Sequence, residues 1–420
     1  MLDLKFIREH ADVVRKAVAD KGENADIDRV LGLDEAKRHK QHDFDTLRAD
    51  QNRVSKGIGL CKKNGQDASN LLASMKKIAG TVRQLGSQLA VLDTELQRLL
   101  LTIPNIPRKD VPVGGEADNA LVSEWGTPRE FDFTPQDHLA LCEAHRLVDF
   151  ARGAKLSGTG FPVYTGNGAL LERALVQFML DTHITRHGYT EIIPPLLVNT
   201  AAMTGTGQLP KMADDMYHIA SDDLYLIPTS EVPLTNFHSG EILPLDDLPR
   251  KYVAFTPNFR REAGSYGKMT KGLLRLHQFN KVEMVRLTEP QDSSQALEEM
   301  IEEAAFITRQ LGLAYRILRL ATGDLSFASH VTYDIEVWSP GAGRWLEVSS
   351  LSDFRDFQAR RMGIRYRNSE GKVAFVHTLN GSGLATSRIF PAIVETYQRD
   401  DGTIEVPEVL RPYMRGLTTL

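Results

Sequence analysis

Leu71, Met75, Ile78, Val82, Leu85, Leu89, Leu92, Leu96 and Leu99 recur alternately four and three residues apart. That spacing is the a/d seam of a coiled coil sustained over about four heptads. A weaker seam of the same spacing precedes it, through Lys40, Phe44, Leu47, Gln51, Val54, Ile58 and Cys61. Between the two lies Lys63-Asn-Gly-Gln-Asp-Ala-Ser69, where turn residues run into Asp67 or Ser69 as a helix N-cap. Two heptad segments joined by a short polar turn predict an antiparallel helical hairpin. At ~1.5 Å per residue, arms of roughly 33 residues reach on the order of 50 Å. A short amphipathic helix is expected over Leu2 to about Ala19, and a proline-free helical stretch from about Ile27 to Leu60. Gly57, Gly59, Gly80 and Gly86 interrupt the arms, each at a cost of ~1 kcal/mol relative to Ala.

The seam ends in Leu100-Leu-Thr-Ile-Pro-Asn-Ile-Pro-Arg-Lys-Asp-Val-Pro-Val-Gly-Gly115, read as a linker. The expected division is a hairpin domain over 1–103, a linker over 104–124 and a second domain over 125–420. The second part mixes strands and helices without a βα repeat, which predicts an α+β fold with an antiparallel sheet flanked by helices. Tyr252–Phe259 and Leu274–Val285 read as β arms around a basic, Gly-containing loop. On the second arm a period of two places Leu274, Leu276, Val282 and Met284 on one face and His277, Phe279, Lys281 and Glu283 on the other. Ala169–Asp181 reads as an amphipathic helix and Gly188–Pro195 as a strand stopped by prolines. Asp334–Trp338 reads as a short strand, and Val376–Arg388 as a small-residue strand running into a helix.

Composition narrows the classes. The chain has 420 residues, 42% hydrophobic and 25% charged, with a formal charge of −5. That is ordinary for a globular protein of about two domains and offers no global case for nucleic-acid binding. Cys61 and Cys142 are the only cysteines, without metal-ligand spacing, which implies a reducing compartment and no structural zinc. No apolar signal core and no run of ~18 apolar residues occurs, so a cytoplasmic location without membrane contact is expected. Charge is local instead. From Arg53 to Arg83 the cations are Arg53, Lys56, Lys62, Lys63, Lys76, Lys77 and Arg83, against Asp67 as the one anion. Such a tip suits a polyanion, while the plainer account is a solvated outer face.

Candidate chemistry is scattered, and each piece alone is weak. The basic loop between the β arms, above a ring and a carboxylate, suits a nucleotide; a solvated loop is the equal alternative. Thr229 and Glu231, two apart in Ile227-Pro-Thr-Ser-Glu-Val-Pro233, read as one face of a strand and suit a small ammonium group. Glu347 and Ser350 offer hard oxygens for Mg²⁺ on a nucleotide, and Arg388 suits a phosphate. Thr204-Gly-Thr-Gly-Gln-Leu-Pro210 lacks the Lys-Ser/Thr ending of a phosphate loop and reads as a mobile loop. Lys268-Met-Thr-Lys-Gly272 has no His-x-Gly-His partner, which excludes the class I synthetase pattern.

Order and spacing bind the pieces together. The hairpin, Gly205-Thr-Gly-Gln-Leu-Pro210, Leu224-Tyr-Leu-Ile-Pro-Thr-Ser-Glu231, Phe259-Arg-Arg-Glu-Ala-Gly264, His277-Gln-Phe279, Phe357-Gln-Ala-Arg-Arg361, His377-Thr-Leu-Asn-Gly-Ser382 and Ile404-Glu-Val-Pro-Glu-Val-Leu-Arg-Pro-Tyr413 occur in one order. As a set they resemble the class II aminoacyl-tRNA synthetases and, within them, the bacterial-type seryl-tRNA synthetases, over essentially the whole chain.

The resemblance implies ATP-dependent ligation of L-serine to tRNA(Ser) through a seryl-adenylate, with tRNA(Sec) as a further acceptor, ATP and Mg²⁺ as cofactors, and a homodimer through the Ala169–Pro195 unit. It assigns ATP to Arg260, Arg261, Glu262, Phe279, Glu347, Val348, Ser349, Ser350 and Arg388. Arg260 then meets the α-phosphate, Glu262 the adenine amino group, and Phe279 and Arg388 the two faces of adenine, with Glu347 and Ser350 at Mg²⁺. Arg260, Glu262 and Arg388 carry the catalysis. Serine falls to Thr229, Ser230, Glu231, Glu283, Asn380 and Ser382. Arg53, Lys56, Lys62, Lys63, Lys76 and Lys77 become contacts to the long variable arm of the tRNA. Lys268, Lys271 and Arg275 are expected to face its acceptor end.

The sequence departs from the family at Ser387, where Gly is frequent before the arginine, and at Asn258 and Ser230. Two other classes compete. A relative activating a small amino acid for a non-tRNA acceptor is expected to lack the hairpin, and a non-enzymatic paralogue to lack Arg260, Glu283, Glu347 or Arg388.

Overall fold

A computed structural model describes residues 1–263 and 272–420. The chain divides into two compact units, Leu2–Pro104 and Asn105–Leu420. Among the described residues no helix is long and apolar enough to cross a membrane.

In the first unit the helices Leu4–Glu9 and Ala11–Asp20 stand where one amphipathic helix was expected, and Asp3 caps the first by accepting from the Lys5 and Phe6 amides. The hairpin arms are Ile27–Lys63 and Ser69–Leu100. Asp26 caps the first arm by accepting from the Arg29 amide. The N-cap of the second is Ala68, while Asp67 takes the Ser69 amide at 2.9 Å. Both seams are buried or half-buried along their length, and the arms pack on each other. Gly57 lies opposite Leu71 and Gly86 opposite Phe44 at ordinary packing distance, whereas Gly59 and Gly80 have no neighbour. No crowding requires glycine at any of the four. Exposed Lys56, Lys62, Lys63, Lys76 and Lys77 flank the turn, and Arg53 is held by Asp50 at 2.7 Å.

The second unit is built on an eight-stranded sheet: β1 (Ala120–Trp125), β2 (Thr190–Glu191), β3 (Arg250–Phe259), β4 (Gln278–Thr288), β5 (Tyr315–Arg319), β6 (Val331–Ser339), β7 (Arg344–Arg355) and β8 (His377–Ala385). Its order is β1-β5-β6-β7-β8-β4-β3-β2, antiparallel except for the β2–β3 pair. The helices Gly166–Thr185, Ser293–Gln310 and Thr386–Thr396 supply one continuous apolar core with inward residues of the sheet, among them Val282, Met284, Leu346, Leu379 and Leu384.

Two expectations change here. The segment expected as a linker over 104–124 is part of this unit: Asn105 Nδ2 donates to the Ala328 and Phe354 carbonyls, Val111 is in the core, and β1 pairs with β5. Prolines signalled a break, yet a chain segment with satisfied donors packs as well as any other. The strand expected over Gly188–Pro195 shrinks to Thr190–Glu191.

Two register shifts decide which side chains leave the core face. Between β6 and β7 Ile335 pairs with Ser349 and Glu336 with Glu347, so Val348 is passed over. Between β4 and β8 Val282 pairs with Leu384 and Glu283 with Ser382, so Gly383 is passed over. A bulge of this kind inverts the alternation of faces on either side of it.

Candidate active site

A cavity of about 550 Å³ opens on the sheet. β4 lines it with Phe279, Lys281 and Glu283, β7 with Glu347, Val348, Ser350 and Ser352, and β8 with Asn380 and Ser382. Glu347 and Ser350 are three apart and would face opposite ways on a regular strand; the shift at Val348 brings both to the cavity. The shift at Gly383 likewise leaves Asn380 and Ser382 on the cavity side while Leu384 enters the core.

One end of the cavity is acidic and closely bonded. Glu283 pairs with Lys281 at 2.6 Å, and Lys281 Nζ also donates to Thr229 Oγ1 at 2.8 Å. The Glu231 amide donates to Thr229 Oγ1 at 3.1 Å, and Gln358 Nε2 donates to Glu231 Oε1 at 2.7 Å. Gln358 is fixed in turn by accepting from Thr378 Oγ1 at 2.7 Å. Burial of its carboxyl group, then the charge of Glu283, pushes Glu231 up to about 7. The Gln358, Lys281 and Asn380 side chains oppose that rise.

Thr229 and Glu231 do not share a strand. Glu231 opens the helix Glu231–Asn236, with Pro233 in its first turn. A proline there forfeits no intrahelical hydrogen bond, so Pro228 and Pro233 mark a helix start rather than strand ends. Ser230 is fully buried with its hydroxyl unpartnered and does not line the cavity. Thr204–Pro210 also differs from expectation. Thr200–Thr206 is a helix capped by Asn199 and ended by Gly207 at φ +101, and Thr206, Gly207 and Gln208 line the cavity.

The other end is basic and aromatic. The Arg260 guanidinium lies 5.3 Å from the Phe279 ring centroid, and its Nε donates to the Pro228 carbonyl at 3.4 Å. Glu262 pairs with Arg275 at 2.5 Å, and both line the cavity, so Arg275 belongs to this wall. Lys268 and Lys271 lie outside the described residues. Arg388 lines the cavity with Nη1 donating to the Glu347 carbonyl and Nε to the Leu274 carbonyl, each at 3.0 Å. Ser387 lines it too, in the first turn of Thr386–Thr396.

Arg261 and Ser349 depart from expectation. Arg261 donates its amide to the Asp215 carbonyl at 2.8 Å and Nη1 to the Asp214 carbonyl at 3.1 Å, and is not in the cavity wall. Ser349 points away from the cavity, its hydroxyl donating to the Ser382 carbonyl at 2.6 Å.

Sequence reasoning missed Lys281, Gln358 and Glu172 as site residues. Lys281 had a signal, since alternation placed it beside Phe279 and Glu283. Gln358 stood in the stretch Phe357-Gln-Ala-Arg-Arg361 without an assigned role, and Glu172 had no signal, because its partners Asn280 and Thr386 are remote in sequence. Glu172 Oε1 accepts from Asn280 Nδ2 at 2.8 Å and from Thr386 Oγ1 at 2.5 Å, tying β4 to the helix that carries Arg388. Its burial without a cation raises it to about 6.

The wall near Glu347 fits a hard divalent cation. Glu347 and Ser350 present oxygens to the cavity, and half-buried Asp334, close to both, has a buried oxygen without a hydrogen-bond partner. Burial first, and then Glu347, holds Asp334 well above the usual carboxylate range.

Comparisons with known proteins agree with this geometry. Residues 217–397 match the tRNA synthetase class II core domain (G, H, P, S and T), and residues 1–107 match the seryl-tRNA synthetase N-terminal domain. A serine–tRNA ligase of Geobacter sulfurreducens is 49% identical over 99% of both chains. One from Pelotomaculum thermopropionicum is 48% identical over 100% of both. Among solved structures, seryl-tRNA synthetase from Pyrococcus horikoshii complexed with ATP superposes with a TM-score of 0.93 at 36% identity, covering 100% of this chain and 99% of that one. The cytoplasmic enzyme of Naegleria fowleri in complex with AMP gives 0.88 at 28%, covering 100% and 98%.

Proposed function

Because the chain belongs to the seryl-tRNA synthetase family of class II aminoacyl-tRNA synthetases, a serine–tRNA ligase that uses ATP, we infer that its two half-sites are the two ends of the one cavity. The basic, aromatic end takes ATP, and the acidic end takes serine. The observation that carries this is the cavity wall itself, which joins Arg260, Glu262, Phe279 and Arg388 to Thr229, Glu231, Glu283 and Ser382.

Activation joins the serine carboxylate to the α-phosphorus as pyrophosphate leaves. No side-chain nucleophile is needed; the protein aligns two anions and neutralises the charge between them. Glu231 and Glu283 hold the serine ammonium, and Ser382 with Asn380 meets its hydroxyl. A wall built to bond that hydroxyl rejects alanine, whose binding leaves buried polar groups unpaired. Arg260 offsets charge at the α-phosphate, Glu262 reads the adenine edge, and Phe279 with Arg388 bounds the ring. Glu347 and Ser350 would hold Mg²⁺, which when bound neutralises phosphate charge. Thr229 has a further part: it joins Lys281 to the Glu231 amide, so it orients the acidic pair even before serine is considered.

Serine-dependent ATP–pyrophosphate exchange tests the reading, and stronger stimulation by threonine, alanine or glycine would refute it. The same assay reads Glu231. Its raised pKa of about 7 keeps it largely protonated at pH 6, where only about one-tenth is ionised. The serine KM is therefore expected to fall about tenfold from pH 6 to pH 8 as the anion forms. Glu231→Gln should flatten that dependence, and a pH-independent serine KM in the native enzyme would contradict the role. The sign for stability is opposite. A carboxyl raised on folding stabilises most below its unfolded pKa, and that contribution is lost as pH rises through about 7.

Binding of the long variable arm of tRNA(Ser) is assigned to the hairpin tip of the first unit. The seryl group passes from the adenylate to the 3′-hydroxyl of the terminal adenosine as AMP leaves. In this reading tRNA(Sec) is a second acceptor, checked by charging its transcript beside tRNA(Ser). The homodimer contact is placed beside the helix Gly166–Thr185 rather than on it, since most of that helix is buried within its own unit. Ile193 is 88% exposed and Leu197 40% exposed, on and beside the edge that ends in β2. Ile193→Glu is expected to convert dimer to monomer in sedimentation velocity; an unchanged dimer would place the contact elsewhere.

A further inference from the structure

We propose that His138 is a positioning residue that sets Arg388 for the nucleotide by fixing the main chain at Leu273 and Leu274. His138 opens the helix His138–Ala144 and is 4% exposed. Its Nε2 accepts from the Leu273 amide at 3.3 Å. The next carbonyl, of Leu274, accepts from Arg388 Nε at 3.0 Å. Leu273 is fully buried and Leu274 lines the cavity. One dipeptide is thus held by His138 on one side and holds Arg388 on the other.

The imidazole cannot choose its role freely. A backbone amide only donates, so Nε2 must carry the lone pair and Nδ1 the proton. Nδ1–H then donates to Glu395 Oε1 at 2.8 Å, and the His138 amide donates to the same oxygen at 2.8 Å. Glu395 is fully buried, and its other oxygen accepts from Ser339 Oγ and from the Gly341 amide at 3.1 Å. Among the described residues four donors and no acceptor face this carboxylate, a set that fixes one tautomer of the ring. Gln398 adds a second tie, donating to the Gln136 carbonyl at 3.0 Å and accepting from the Gln136 amide at 2.8 Å.

Glu395 and Arg388 stand on the same helix, Thr386–Thr396. The path from Arg388 through Leu274, Leu273, His138 and Glu395 therefore closes on the element where it began. Gly272 makes the approach possible: at φ +76, a Cβ there would lie 2.3 Å from His138 Nε2. The ring is seated against backbone that no other residue leaves room for.

The proposal rests on Arg388 acting at the nucleotide, so its test separates the two. Exchange kinetics are measured on the full-length enzyme, His138→Asn, His138→Gln and Arg388→Ala. Asparagine reaches as far as Nδ1 and keeps a donor for Glu395; glutamine reaches as far as Nε2 and can accept from Leu273. His138→Asn is expected to raise the KM for ATP about tenfold with the serine KM within about twofold, and His138→Gln to recover to within about threefold of native. Equal losses in both variants, or a parallel rise in the serine KM, would overturn the proposal. If Arg388→Ala leaves the ATP KM unchanged, the assignment of Arg388 fails, and the latch with it. If Arg388→Ala raises it and His138→Asn does not, the latch alone fails. Independently of any variant, the Leu273 amide in the native enzyme is expected to exchange with deuterium at least about a hundredfold slower than exposed amides. Exchange at the exposed rate would refute the bond on which the latch depends.

Discussion

Arg260→Ala is expected to lower kcat for serine-dependent ATP–pyrophosphate exchange by about 10³-fold, the scale on which an arginine at a transferring phosphoryl group acts. The reason lies in how little else the side chain does. The backbone at Arg260 is already fixed, its amide donating to the His277 carbonyl and its carbonyl meeting His277 Nδ1, each at 3.0 Å. The guanidinium itself keeps one long bond to Pro228 and its place over Phe279. Alanine therefore removes positive charge from the cavity without removing a structural support, and thermal unfolding should barely move. Arg260→Lys restores the charge but not the planar fork, so it should recover only part of the rate. A loss below about tenfold, or one matched by a fall in stability, would end the assignment of Arg260 to the α-phosphate.

The second large effect belongs to the other unit. Replacing Lys62, Lys63, Lys76 and Lys77 together by glutamate is expected to reduce charging of tRNA(Ser) about 10³-fold at physiological salt, while amino-acid-dependent exchange stays unchanged. All four are exposed and none belongs to either seam, so the hairpin should fold as before. Arg53 is left out because Asp50 already holds it. Salt supplies a second reading. Each lysine withdrawn from a phosphate should reduce the slope of log affinity against log salt by roughly 0.7–0.9, so the variant should bind weakly and with little salt dependence. Normal charging by the fourfold variant would remove the hairpin tip from the tRNA interface.

Much of this was legible in the chain, and the rest was hidden for definite reasons. The hairpin could be read because an a/d repeat is a local signal that needs no partner to interpret. The strand expected over Tyr252–Phe259 exists and begins two residues earlier, at Arg250. Local reading failed where the sheet departs from alternation. Nothing in Glu347-Val-Ser-Ser350 announces that its first and last residues share a face; that depends on Val348 being passed over by β6. Asn380, Ser382 and Leu384 have one parity, yet the shift at Gly383 sends the third to the core. Their roles came from resemblance to a family, which carries geometry that spacing does not. The prolines around Thr229–Glu231 misled in another way, since the same residue stops a strand and starts a helix. Lys281 shows the reverse case: alternation put it on the right face, and only its bonds to Thr229 and Glu283 revealed its use.

The five glycines of the hairpin helices change what kind of object the arm is. With no neighbour close enough to demand them, together they withhold ~5 kcal/mol of helix-forming free energy that alanine would supply. They lie at Gly32, Gly57 and Gly59 on one arm and Gly80 and Gly86 on the other, with Gly57, Gly59 and Gly80 in the tip-ward halves. At the root, packing offsets the glycines: Val30, Leu33, Leu96 and Leu99 are buried there, close in sequence to Gly32. The arm is thus graded in compliance, a firm root with a pliant distal end, as in a fishing rod rather than a girder. A body of that kind can follow a curved polyanion by bending at its far end without transmitting the strain to its base.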